Sequence, residues 1–262
     1  MAILMCPPDH FAVEYEINPW MKVQNAVDRP RAQQQWQELF LTYRRLGQTV
    51  ELAQPMPGNP DMVFTANAGV VRNGKAVLSH FHHPERQGEE PFWWAAFHNR
   101  GYQVTLMPKD VSFEGAGDAL FVGERLFCGY GFRTDRASHE LVRDALDVEV
   151  VSLELVDPSF YHLDTCFCPL SKDVVMFAPE AFSATSAKLI RRMVRHVIEV
   201  PTSVALDFVC NGVTIGDQVV SSTGLENLAE DLHHAGFRTT SLPMTEFMKA
   251  GGGVRCLSLF LD

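Results

Sequence analysis

The hydrophobic positions of this chain fall into a cycle that recurs about every 50 residues, a spacing typical of internal repeats. Apolar runs broken by a short polar turn predict β hairpins at residues 63–79 around Asn73-Gly74, 118–129 around Gly123-Glu124, 165–178 around Ser171-Lys172 and 208–221 around Gly216-Asp217. Apolar residues at helical spacing predict helices over 31–46, 90–99, 135–146, 183–196 and 225–235. A short strand is predicted after each helix, at 49–53, 103–107, 149–153, 197–200 and 239–242. Hairpin, helix and strand thus recur four times. Residues 2–6 and 256–261 are apolar strands with no hairpin partner nearby. Pairing them supplies a fifth unit and closes a ring, which removes sheet edges. No linker or low-complexity tract interrupts the cycle, so one domain over residues 1–262 is expected.

Composition narrows the function. A hydrophobic content of 46% with 21% charged residues suits a soluble globular chain able to bury a sizeable core. The net charge of −10 and pI near 5.4 leave no basic stripe to neutralise phosphates, which argues against a nucleic-acid partner. The start Met1-Ala2-Ile3-Leu4-Met5-Cys6-Pro7-Pro8 lacks the features of a secretory signal, and no apolar run reaches membrane-spanning length, so no membrane partner is expected. The six cysteines form no C-x-x-C pair and are too sparse for a disulfide framework, which fits a reducing cytoplasm. The expected partner is a small molecule, and a cation suits the acidic field. Trp93 and Trp94, on a predicted helix, suit core packing or an interface, and a homo-oligomer is left open.

The candidate chemistry is scattered along the chain. Cys256 follows Gly251-Gly252-Gly253-Val254-Arg255 and begins the last predicted strand. A glycine run lets the backbone approach a ligand, which would aim the thiol at a pocket; a buried structural thiol is the plain alternative. In Tyr161-His162-Leu163-Asp164-Thr165, strand alternation would put His162 and Asp164 on one face, with Cys166 and Cys168 continuing it. A histidine is the usual acid or base beside a thiol, although a hydrogen-bonded core histidine or a zinc ligand set reads the same way. Phe113-Glu114-Gly115-Ala116-Gly117-Asp118 and Asp61 in residues 60–67 add three acids near hairpins. Acids converging on one point imply a cation between them, and a guanidinium matches carboxylates bidentately.

Together these residues resemble the guanidino-group-modifying enzymes, the arginine deiminases, dimethylarginine dimethylaminohydrolases, arginine dihydrolases and amidinotransferases. The resemblance rests on Asp61 in PDMVFTAN, Glu114 and Asp118 in FEGAGD, His162 and Asp164 in HLD, and Cys256 in GGGVRC, in the family's order. It implies the pentein fold, a five-bladed α/β propeller of pseudo-fivefold ββαβ repeats closed by pairing of the N- and C-terminal strands. It implies Cys256 as nucleophile, His162 as general acid and base, and Glu114 as the carboxylate that supports His162 and grips the guanidinium. Asp61, Asp118 and Asp164 are implied in guanidinium binding, and Arg86 and Arg133 in holding the substrate's α-carboxylate. Taken alone, both arginines also fit solvated surface positions. No metal or organic cofactor is implied.

Within the family, Asn67 stands where deiminases usually carry Asp, and Asp164 where dimethylarginine hydrolases usually carry a basic residue. Those two features, with the openings Cys6-Pro7-Pro8-Asp9-His10 and Ile17-Asn18-Pro19-Trp20-Met21, resemble the arginine dihydrolase branch and place Asn18 and Asn67 in the substrate-binding set. Arginine going to ornithine, carbon dioxide and two ammonia is the reaction this implies. Deimination to citrulline, dimethylarginine hydrolysis and a catalytically inactive ligand-binding propeller are the alternatives.

Overall fold

Ala2–Met5 lies between strands from distant parts of the sequence. It runs antiparallel to Leu259–Leu261, with Ala2 opposite Leu261, and parallel to Thr49–Leu52, with Ala2 opposite Thr49. The computed structural model describes residues 2–261, an α/β fold of five three-stranded sheets. In each of the other four sheets an antiparallel hairpin is followed by a helix and by a third strand parallel to the hairpin's second strand. The hairpins are Gly69–Arg72 with Lys75–Leu78, Ala119–Val122 with Arg125–Tyr130, Phe167–Pro169 with Val174–Phe177, and Val213–Ile215 with Gln218–Ser222. Their third strands are Gln103–Thr105, Glu149–Glu154, His196–Glu199 and Arg238–Leu242.

Local chemistry explains the elements. Asn73 (φ 51°) and Gly74 (φ 72°) both take positive φ, the requirement of a type I′ hairpin turn. The helix Arg29–Arg45 is capped by Asp28, whose side chain accepts from the Arg31 N–H at 3.1 Å, and it carries Pro30 in its first turn. It buries Ala32, Gln35, Trp36, Leu39, Thr42 and Tyr43, one face at helical spacing. The other long helices are Glu90–His98, Ser138–Leu146 and Ala184–Met193, close to the predicted spans. A cavity of about 470 Å³ is lined by the first strands of all five sheets, through Val70, Leu120, Phe167, Val213 and Phe260.

Several expectations are corrected. Residues 225–235 are a 3-10 turn, Leu225–Leu228, followed by a short helix, Ala229–His234. The last strand is only Leu259–Leu261, so Cys256 sits in the turn before it. His162 is extended (φ −124°, ψ 152°), but Leu163–Thr165 is a 3-10 turn, not a continuing strand. Trp93 is buried and donates through Nε1 to Glu89, whereas Trp94 is 41% exposed and stacks on His98. Among the described residues no helix is long and apolar enough to cross a membrane.

Candidate active site

Each sheet's first strand is entered from a short non-strand segment, and these five segments meet. Asn67 lies in the turn Thr65–Ala68 and Glu114 and Asp118 flank Gly115–Gly117. His162 and Asp164 bracket the start of Leu163–Thr165, Asn211 precedes Val213–Ile215, and Cys256 precedes Leu259–Leu261. The 3-10 turn at 163–165 separates the two residues that strand alternation would have aligned: His162 turns toward Glu114 and Asp164 toward Cys256. Cys166 and Cys168 do not join a ligand set, because their thiols donate to the Leu163 carbonyl (3.5 Å) and the Gly212 carbonyl (3.4 Å). Among the described residues no group of three or more His, Cys, Asp or Glu is arranged to hold a metal.

Glu114 is fully buried and accepts from His162 Nε2 at 2.7 Å and from Arg133 Nη1 at 3.0 Å. Burial opposes its charge, but Arg133 and His162 together hold its carboxyl well below the usual carboxylate range. With Nε2 engaged, His162 keeps Nδ1 buried and without a hydrogen-bond partner. Gly117 has no room for a side chain: a Cβ there would sit 2.2 Å from Asn67 Nδ2 and 3.4 Å from His162 Nδ1.

On the other side of the cluster, the Cys256 thiol donates to Asp164 Oδ2 at 3.1 Å. Burial pushes the Asp164 carboxyl up to about 7, against the pull of its hydrogen bond from Cys256. The thiol is raised as well, first by burial and then by the Asp164 charge. Asn211, which the sequence reading did not single out, contacts both: its Nδ2 lies 3.0 Å from Cys256 Sγ and 2.9 Å from the Asp164 carbonyl. The available signal was position, since Asn211 enters the fourth hairpin as Asn67, Glu114 and His162 enter the others.

Asp61, Asn67, Arg86, Arg133, His162 and Cys256 line a narrow cavity, with Ile17, Asn18, Phe64, Tyr161 and Ala250 completing it. The space between them is about 10 Å³, room for one water at most. Asp61 accepts from Tyr15 Oη at 2.9 Å, and burial raises its carboxyl to about 6 despite the charge of Arg86. Neither arginine is a solvated surface residue. Arg86, 3% exposed, donates from Nε to Glu89 (2.7 Å), from Nη1 to Asn67 Oδ1 (2.9 Å) and from Nη2 to the Asp61 carbonyl (3.2 Å). Arg133, 4% exposed, lies over the Tyr161 ring and donates from Nη2 to the Ile17 carbonyl at 2.9 Å. Because Arg86 can only donate, Asn67 must turn Oδ1 to it, and its Nδ2 donates one N–H to the Glu114 carbonyl at 3.4 Å, with the second N–H left over. Asn18 spends its side chain on backbone, donating to the Ala250 carbonyl and accepting from the Trp20 and Met21 N–H groups.

Asp118 departs from the expectation of a substrate-binding acid. Its Oδ1 accepts from the Leu163 N–H (2.9 Å) and its Oδ2 from the Thr134 hydroxyl (2.7 Å), so both oxygens are committed behind the cavity. It fixes the peptide after His162. The atoms left without partners lie elsewhere. Of the six buried side-chain N and O atoms with no hydrogen-bond partner among the described residues, three are Asp61 Oδ1, Asp164 Oδ1 and His162 Nδ1. Orphaned buried acceptors are costly unless a ligand donates to them.

A buried cysteine, a carboxylate-supported histidine and acceptor-rich walls on five small α/β sheets define the class of guanidino-group-modifying enzymes. Within that class the chain belongs to the dimethylarginine dimethylhydrolase family: the family described as N,N dimethylarginine dimethylhydrolase, eukaryotic, matches residues 7–260. It is 47% identical over 262 residues to the bifunctional arginine dihydrolase/ornithine cyclodeaminase ArgZ of Synechocystis sp., covering 98% of this chain and 37% of that protein. The chain therefore spans just over a third of that relative's length. It is also 42% identical over 255 residues to the N(G),N(G)-dimethylarginine dimethylaminohydrolase of Mycobacterium tuberculosis, covering 97% of this chain and 84% of that one. Among solved structures, the N-terminal domain of ArgZ as a cysteine-to-serine mutant bound to substrate superposes with a TM-score of 0.95 at 46% identity, covering 98% of this chain and 97% of that one. The same domain as an asparagine-to-serine mutant, covalently bound to a reaction intermediate, gives the same score and identity, covering 98% and 96%.

Proposed function

We propose that residues 1–262 form one arginine dihydrolase domain, a five-bladed α/β propeller that hydrolyses both outer C–N bonds of the arginine guanidinium. The one observation that carries the reading is the set of orphaned acceptors, Asp61 Oδ1, Asp164 Oδ1 and His162 Nδ1, gathered about the Cys256 thiol. A guanidinium is a planar array of N–H donors, able to satisfy several such acceptors at once. The cavity lined by the first strands of all five sheets, with the pairing of Ala2–Met5 and Leu259–Leu261, supports closure of the propeller. The six unpaired thiols support a cytoplasmic setting.

The mechanism follows from the contacts. As the entering cation draws out the thiolate of Cys256, the thiol proton, which points to Asp164 3.1 Å away in the resting site, passes to the free Nδ1 of His162. Sulfur attacks the guanidinium carbon, and His162, held through Nε2 by Glu114, delivers a proton from Nδ1 to the departing nitrogen, which leaves as ammonia. The S-alkylthiouronium then takes a water that His162 deprotonates, and sulfur leaves to give the ureido group. Asn67 offers that new oxygen an N–H donor, where a carboxylate would repel it. The ureido product is thereby kept for a second attack, a second ammonia and, after a second water, ornithine and carbon dioxide. Arg86 and Arg133, the two buried cations lining the cavity, are assigned to the substrate's α-carboxylate.

Dimethylarginine hydrolysis is the second reading, favoured by the family description and the mycobacterial relative. Asp164 weighs against it, since its free oxygen needs an N–H and a dimethylated nitrogen has none. Intact-protein mass spectrometry after acid quench tests the nucleophile: arginine is expected to add one thiouronium mass to the protein, at Cys256, and to shield that thiol from alkylation. A thiol that labels equally fast with and without arginine, and carries no adduct, contradicts the proposal and supports an inactive binding propeller.

A further inference from the structure

If Cys256 is the nucleophile, its surroundings must allow a thiolate, yet they are poorly suited to one. The residue is 2% exposed and its sulfur faces the Asp164 carboxylate. The other charged or titratable groups around it are Arg255, Tyr161 and, across the cavity, Asp61, Arg86, Arg133 and His162. Arg255, next in sequence, turns its guanidinium over the Phe260 ring at 5.0 Å. The side-chain N–H that reaches sulfur belongs to Asn211.

Asn211 is fully buried and its amide is used on every side. Oδ1 accepts from three consecutive-loop N–H groups, those of Gly253 (3.1 Å), Arg255 (3.0 Å) and Cys256 (3.2 Å), while the Arg255 N–H also lies 3.0 Å from the Asn211 main-chain carbonyl. Those donors fix the orientation of the amide, so Nδ2 has to face the Asp164 carbonyl at 2.9 Å and Cys256 Sγ at 3.0 Å. One side chain therefore both shapes the turn that carries the thiol and donates to the sulfur itself.

We infer that Asn211 is a catalytic residue, whose Nδ2–H donates to Cys256 Sγ and holds the thiolate aligned for attack. This rests on the reading of Cys256 as nucleophile. A hydrogen bond to the charged form of a group favours that form, so the Asn211 donor offsets part of what burial and Asp164 impose. A purely structural role would need Oδ1 and the Nδ2 bond to the Asp164 carbonyl, but not the contact with sulfur.

Asn211→Asp separates the two roles. It keeps an acceptor for the three backbone N–H groups and replaces the donor with an oxygen that repels sulfur, and it also gives up the bond to the Asp164 carbonyl. The midpoint pH for alkylation of Cys256 is expected to rise by about one unit or more, a tenfold loss of thiolate at fixed pH. The kcat for arginine should fall by about tenfold to a hundredfold while KM stays within about threefold, with the Tm lowered by loss of the Asp164 carbonyl bond. A folded Asn211→Asp protein with unchanged alkylation profile and kcat overturns the inference. Should that variant not fold, the wild type answers alone: the Asn211 side-chain N–H resonance is expected to titrate with the alkylation midpoint and to stay fixed in Cys256→Ser. A resonance that does not titrate removes the contact. Turnover retained in Cys256→Ser overturns the nucleophile itself, whereas lost turnover there with a silent Asn211 overturns only the role of Asn211.

Discussion

Glu114 and Asp164 are both fully buried carboxylates in one site, and burial raises both; they differ in what their neighbours offset. Arg133 and His162 outweigh burial at Glu114 and hold it ionised, whereas at Asp164 burial wins over the weaker pull of Cys256, Arg255 and Asn211 and raises it to about 7. The signs of their pH dependence differ accordingly. A raised carboxyl binds its proton more tightly when folded, so the stability Asp164 contributes is full below its ordinary 3.8 and is lost as pH rises through about 7. Asp164→Asn should therefore gain Tm relative to the wild type between these limits, with the gain levelling off above; a pH-independent difference contradicts this. Glu114 behaves in reverse, contributing above its ordinary value of 4.5 and less as pH falls. Glu114→Gln leaves Arg133 buried without its carboxylate and should cost about 3 kcal/mol at neutral pH in urea unfolding, a cost that shrinks in acid. Asn67→Asp should move the products toward citrulline, and unchanged product ratios by mass spectrometry would remove Asn67 from the mechanism. At this scale Cys256, His162, Glu114, Asp61 and Asp164 were legible as residue types in order. Asn211 was not, because Asn211-Gly212 reads as turn chemistry, and its inward amide depends on a loop some 40 residues further on. Asp118 was legible as an acid, but only the fold reveals that both its oxygens are committed to Leu163 and Thr134.

Among the elements, the turn 251–253 and the segment before the first helix govern access and alignment. Gly251 has φ +84°, and a Cβ there would meet Tyr161 Oη at 2.7 Å. Gly251→Ala should destabilise by about 1–2 kcal/mol from backbone strain alone and lower kcat by displacing the Cys256 turn; thermal melts and initial rates check both. The N-terminal segment lies across the cavity, tied by Tyr15 to Asp61, by Ile17 to Arg133, by Asn18 to Ala250 and by Trp20 to the Ser159 carbonyl. A cavity of about 10 Å³ admits no amino acid as it stands, so binding arginine there requires the lining side chains or this segment to shift. Hairpins and long helices were readable because several periods of alternation or helical spacing fit within them. The three-residue 3-10 turns that carry the site were not, since they are shorter than one repeat of either pattern, and His162-Leu163-Asp164 was read as strand for that reason.

For the whole molecule, the pairing of Ala2–Met5 with Leu259–Leu261 makes the first and last strands one hairpin cut open. A circular permutant that joins residues 2 and 261 through a short linker and opens at Asn73-Gly74 is expected to fold and to turn over arginine. The pairing of the two ends was legible from their unpaired apolar runs. Which rim of the sheets would hold the chemistry was not, because the entry segments converge only once five repeats are set side by side. The central claim is that one thiol acts twice on one substrate, and the ratio of ammonia to ornithine tests it most directly. Purified protein given arginine should release two ammonia per ornithine with no citrulline accumulating. One ammonia per citrulline, or release of dimethylamine from dimethylarginine with arginine untouched, would contradict it.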